Sequence, residues 1–157
     1  MKAAYVLAIG SPSGDDQAGW LVGRALENRL PADVKIELLD RPGSALIPLL
    51  EKADRVMLVD AMQGGGQTGT IRHFGHDEWV NFRQGLSSHS THGLGVFDAL
   101  MLARVLGCLP REMTLYGIEI GSALPGSKPS DAVIAAAQTL ADKIVIEWGA
   151  SGFQVSR

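Results

Sequence analysis

Ala3 to Ile9 is an apolar run without alternation, the pattern of a parallel strand buried on both faces. It breaks at Gly10-Ser11-Pro12-Ser13-Gly14, and two adjacent acids, Asp15 and Asp16, follow. Ala18, Leu21, Val22, Ala25 and Leu26 then repeat at helical spacing, with Leu30 extending the stripe and Pro31 ending it. Val34 to Leu39 predicts a second strand, closed by Asp40-Arg41-Pro42-Gly43, and a short helix is expected from Ser44 to Lys52. Arg55 to Val59 predicts a third strand with Asp60 at its end. The glycine-rich stretch Ala61 to Gly69 leads to a short edge strand, Thr70 to Phe74. From Asp77 to Ser90 no period stands out, and a loop with one helical turn is expected. A helix from His92 to Leu106 carries the stripe Leu94, Phe97, Met101 and Val105, stopped by Gly107 and Pro110. Met113 to Ile120 predicts another strand. After a loop, Ser130 caps a last helix to about Trp148, with Ile134, Ala137, Ala141, Ile144 and Trp148 inward.

This β-α-β-α-β rhythm predicts an α/β fold: a single three-layer domain with a mainly parallel, twisted sheet and helices on both faces. The domain is expected over residues 1–149, with a loose tail over 150–157. A length of 157 residues suits one core of this kind. The net charge of −3 comes with no basic stripe, which argues against a nucleic-acid partner. No run approaches the roughly 18 apolar residues of a membrane span, so membrane insertion is not expected. The apolar N-terminus has no small-residue cleavage site and does not read as a signal peptide. Cys108 is the one cysteine; it reads as a small buried apolar residue, and its solitude fits a reducing cytoplasm.

Chemistry in an open α/β sheet gathers at the carboxyl ends of the strands, where the strand order reverses. With the order 2-1-3, the loop after the first strand brings Asp15 and Asp16 toward Asp60 at the end of the third. His92 can complete the group. Two carboxylates and an imidazole form a three-ligand metal site that nickel, zinc, manganese or iron would accept. Spacing leaves open which acid of the pair joins the site and which caps the helix. A metal-free carboxylate dyad is also conceivable, but it needs the acids within about 3 Å. Gly64-Gly65-Gly66-Gln67-Thr68-Gly69 matches a dinucleotide fingerprint only formally, because a β-like segment follows it instead of a helix. Gly64, Gly65 and Gly66 read instead as room for a peptide beside the crevice. His73, His76 and His89 receive no role.

The stretch Ile9 to Gly19 resembles the G-N-x-x-x-x-D-[DE]-x-x-G opening of the hydrogenase maturation endopeptidases. Leu58-Val59-Asp60-Ala61, Ser90 to Gly95, and Tyr116-Gly117-Ile118-Glu119 resemble that family's later motifs, in order and at matching spacing. The likeness runs to about residue 148. It implies an endopeptidase that trims the C-terminal extension of a nickel–iron hydrogenase large-subunit precursor, its protein partner. It also implies metal ligation by Asp16, Asp60 and His92, catalysis through Asp16 and Asp60, and a turn-organising role for Asp15. Nickel is then sensed in the substrate rather than held as a permanent cofactor, and zinc or another divalent ion can substitute. Two features depart from the family pattern. Ser11 stands where the family has Asn, and the D-G-G-T-x-G loop survives only as Asp40 and Gly43 around Arg41-Pro42. A non-proteolytic nickel-sensing assembly factor, and another small α/β hydrolase, are the rival expectations.

Overall fold

β1 (Ala3–Gly10) has Val6 packed on one side of the sheet and Tyr5, Leu7 and Ile9 on the other. Both faces therefore need cover, and helices supply it. The computed structural model describes residues 3–80, 95–121 and 123–155. β2 (Val34–Asp40), β3 (Ala53–Met62), β4 (Ile71–Phe74) and β5 (Glu112–Glu119) complete a five-stranded sheet of order β2-β1-β3-β5-β4. β2, β1, β3 and β5 run parallel, and β4 pairs antiparallel to β5 at the edge.

One face is covered by α1 (Ala18–Ala25) and α4 (Asp131–Val155), which pack on each other and on Val6, Met57, Val59, Tyr116 and Ile118. The opposite face carries α2 (Leu46–Glu51) and α3 (Val96–Val105), with Leu7, Leu58, Leu115 and the fully buried Trp79. The expected three-layer α/β architecture is the one observed. Among the described residues no helix is long and apolar enough to cross a membrane.

Element boundaries depart from the sequence reading in informative ways. α1 stops at Ala25, and Asn28 takes a left-handed φ of 62° before Pro31. β3 continues to Met62, so Asp60 lies inside the strand, opposite Gly117 of β5. A 3-10 turn, Gly43–Ala45, precedes α2. In α3 the buried residues are Ala99, Leu100 and Ala103, whereas Val105 is 79% exposed. In α4 Val133 is buried and Ile134 is 47% exposed. The rest of the expected α4 stripe holds, with Ala137, Ala141, Ile144 and Trp148 buried, and in α3 Phe97 and Met101 pack against the core beside the buried alanines. The expected end of the last helix at Trp148 is also exceeded, since α4 runs to Val155. The loop with one helical turn expected at 77–90 has helix over 78–80, and residues 81–94 lie outside the described ones.

Candidate active site

The order β2-β1-β3 makes the chain leave β1 toward β2 on one side, with β3 as its neighbour on the other. The crevice at a parallel sheet's carboxyl edge opens at such a reversal. Here it is a hollow of about 180 Å³, lined by Ile9, Gly10, Asp16, Arg41, Pro42, Gly43, Leu46, Asp60, Ala61, Gly95 and Val96.

The turn after β1 is built by close backbone approaches. A Cβ on Gly10 would lie 2.9 Å from the Asp16 carbonyl oxygen and 3.2 Å from the Trp20 ring. That space is filled because the Ser11 amide donates to the Asp16 carbonyl at 3.1 Å. Gly14 takes the left-handed φ of 52° that starts the short 3-10 segment Gly14–Gln17. The Asp16 carboxylate is then delivered to the crevice wall, where Oδ2 accepts a hydrogen bond from the Ser11 hydroxyl. Ser11 is itself buried.

Asp15 goes the other way. It is buried, and it accepts bonds from the Gly121 amide at 3.0 Å, the Ser130 amide at 2.6 Å and the Ser130 hydroxyl at 3.1 Å. Ser130 in turn receives the Val133 amide at 3.4 Å, as an N-cap of α4 does. The carboxylate thus ties the β1 turn to the start of the last helix. The Gly14 amide adds a bond to the Ser127 carbonyl at 3.1 Å.

Asp60 meets Asp16 across the crevice from within β3, and its Oδ1 accepts the Ala61 amide at 2.8 Å. Burial pushes its pKa well above the usual carboxylate range; the charge of Asp16 adds to the rise, and the Ala61 amide opposes it. Oxygen donors paired this way suit a divalent cation, which would relieve the repulsion between them. Among the described residues no group of three metal-ligating side chains gathers. His92 lies outside the described residues; the chain re-enters them at Gly95, on the crevice wall.

Gly64, Gly65 and Gly66 do not line the crevice. They stand on its β5 side, where the Gly64 amide donates to Glu119 Oε2 at 3.0 Å. Three residues of this neighbourhood escaped the sequence reading as site members. Ser11 holds Asp16, Arg41 lines the crevice at a φ of 42°, and Glu119 is a buried acid at a strand end. The last carries the same signal that marks Asp60, an acid closing an apolar strand.

Residues 21–147 match a family model described as hydrogenase maturation protease. The chain belongs to the hydrogenase maturation protease family. It is similar to the hydrogenase expression/formation protein HupD of Rhodobacter capsulatus, 32% identical over 121 residues, which cover 75% of this chain and 57% of that one. The chain thus spans little more than half the length of that relative. The solved hydrogenase maturating endopeptidase HybD from E. coli superposes at a TM-score of 0.81 and 25% identity, over 96% of this chain and 94% of that one. The [NiFe] hydrogenase maturation protease HycI from Thermococcus kodakarensis KOD1 shares the fold, with a TM-score of 0.70 at 24% identity over 92% and 90% of the two chains. The family's members are thus matched in sequence and in architecture, and the crevice lies at this architecture's topological switch point.

Proposed function

We propose that this protein is an endopeptidase that removes the C-terminal extension of a nickel-loaded [NiFe] hydrogenase large-subunit precursor, acting in the cytoplasm. The observation that carries the reading is the convergence of Asp16 and Asp60 on one crevice, from segments 44 residues apart in sequence. Nickel borne by the precursor is part of the substrate; zinc or another divalent ion can stand in for it. Asp16 and Asp60 supply oxygen donors to that metal, and the His92 imidazole supplies a nitrogen donor. Asp16 is held by Ser11, so its donor atom is preset before the substrate arrives.

In the reaction a water adds to the scissile carbonyl carbon, the C–N bond breaks, and the departing amine takes a proton. A crevice carboxylate, Asp16 or Asp60, accepts the proton that the attacking water releases and passes it to the departing amine. Asp15 takes no part in proton transfer, since its carboxylate faces Gly121 and Ser130. The glycine run Gly64–Gly66 lies four to six residues past Asp60 and offers backbone groups to an extended peptide.

The test mixes the purified protein with a nickel-loaded large-subunit precursor, with nickel-free precursor as control. Loss of a short C-terminal peptide by mass, seen only with nickel, is the expected result. If the precursor is bound but stays intact in both samples, the protein is a non-proteolytic assembly factor and the endopeptidase reading fails. Turnover of small peptides with no dependence on the precursor points instead to a general hydrolase.

A further inference from the structure

Glu119 is the last residue of β5, and it is 1% exposed. Its side chain divides between two partners: Oε1 accepts Arg72 Nε at 2.6 Å and Oε2 accepts the Gly64 amide at 3.0 Å. Its main chain makes two further bonds to the same segment. The Glu119 amide donates to the Thr70 carbonyl at 2.9 Å, and the Gly69 amide donates to the Glu119 carbonyl at 2.8 Å. One residue therefore closes both ends of the loop from Gly64 to Thr70.

The tip of that loop is open. Gly65 is exposed with a φ of 85°, and nothing lies within 4 Å of where its Cβ would be. Gly66 is the opposite case, since a Cβ there would sit 2.8 Å from the Arg72 guanidinium and 3.2 Å from the Glu119 side chain. The backbone at 64–66 thus lies directly on the ion pair. A buried carboxylate paired with a partly exposed guanidinium adds little net stability, and the benefit of the pair lies in fixing one geometry. The geometry fixed here is that of exposed main chain four to six residues beyond Asp60.

We propose that Glu119, braced by Arg72, is a positioning residue that sets the Gly64–Thr70 loop as the docking rim for the extended peptide substrate. The inference rests on the endopeptidase reading above. The partner it commits to is a peptide main chain, recognised through backbone hydrogen bonds at the loop tip rather than through side-chain charge. Glu119 does not line the crevice that holds Asp16 and Asp60, so its loss is expected to act on binding and leave the chemical step.

The experiment uses the full chain and nickel-loaded precursor. Glu119→Gln is expected to raise KM about tenfold while kcat stays within about twofold, the pattern of lost substrate binding. Amide hydrogen exchange over residues 64–70 is expected to quicken in the same variant, with exchange in β1 and β3 unchanged. Glu119→Gln combined with Arg72→Gln restores an uncharged amide pair and is expected to recover most of the KM. A variant whose loop exchange quickens while KM holds at the wild-type value overturns the inference and leaves the endopeptidase reading intact. Equal falls in kcat and Tm without a KM change mark a merely structural role and overturn it as well. A wild-type protein that neither trims nor binds the precursor overturns the endopeptidase reading itself, and the docking role falls with it.

Discussion

Asp15 and Asp16 are neighbours in sequence with opposite fates, and the difference is one of partners. Asp15 is enclosed by donors from the β5–α4 connection, so its charge is stabilised by hydrogen bonds. Replacing it by alanine leaves the Gly121 and Ser130 amides without that acceptor, and Asp15→Ala is expected to destabilise the fold by about 3 kcal/mol, read by urea denaturation. Asp60 is the reverse case, a carboxylate whose surroundings disfavour its charge. Below the ordinary carboxylate range it is protonated in both folded and unfolded chains, and no penalty exists. The penalty grows as pH rises from the unfolded toward the raised folded pKa, and it is complete above that. Asp60→Asn is therefore expected to raise the Tm of metal-stripped protein at neutral pH by about 2–4 °C, what roughly 1 kcal/mol gives at this size. The gain should vanish on acidification while precursor trimming is lost at every pH. A Tm gain that persists at low pH, or its absence at pH 7, contradicts this account.

At the scale of elements, the placement of the site depends on how closely α1 approaches the sheet. A Cβ on Gly19 would lie 2.0 Å from the Ile9 carbonyl oxygen and 2.7 Å from that of Val59. Both obstacles are backbone at the carboxyl ends of β1 and β3, and neither can move without displacing the strands that carry the site. Gly23 meets the end of the Leu38 side chain at 2.4 Å and the Cβ of Ala8, fixed to β1, at 2.8 Å. Gly19→Ala is thus expected to cost about 3 kcal/mol and to impair trimming, because overpacking against backbone has no cheap relaxation. Gly23→Ala should cost less but not nothing, since Leu38 is 40% exposed and can turn away while the Ala8 Cβ at 2.8 Å leaves a smaller overlap than the 2.0 Å approach at Gly19. Thermal unfolding of the two variants side by side decides this; equal losses would show that α1 shifts as a body.

For the whole molecule, the acids of the crevice link two segments that the unfolded chain holds apart. A cation bound between Asp16 and Asp60 stabilises only the folded state. Nickel added to metal-stripped protein at about a hundredfold excess over its Kd is expected to raise Tm by about 5 °C or more. Asp16→Ala and Asp60→Ala should flatten the shift, and His92→Ala should reduce it. Protons compete for Asp60, so the shift should shrink as pH falls through its raised pKa. A nickel shift untouched by either aspartate substitution would place the metal elsewhere.

The sequence by itself determined the layer architecture, because strands such as β1 and β3 are apolar on both faces and must be covered twice. It also marked the Asp15-Asp16 pair and Asp60 as acids that follow or close apolar strands, without choosing within the pair. Helix faces were legible except at single positions: Val105 and Ile134 fit an amphipathic period but face outward, while Ala137, Ala141, Ile144 and Trp148 are buried as their spacing predicts. The ends of β3 and α4 were not legible either, as strand and helix length depends on neighbours that pair with them. Only the tertiary structure decided which acid of the pair enters the crevice without appeal to resemblance. Which way a carboxylate turns depends on where its donors are. Those of Asp15 lie 106 and 115 residues downstream, in segments that become its neighbours only when β5 joins the sheet. The same holds for the turn after β1: its acids are written locally, and the directions they face are set by distant backbone.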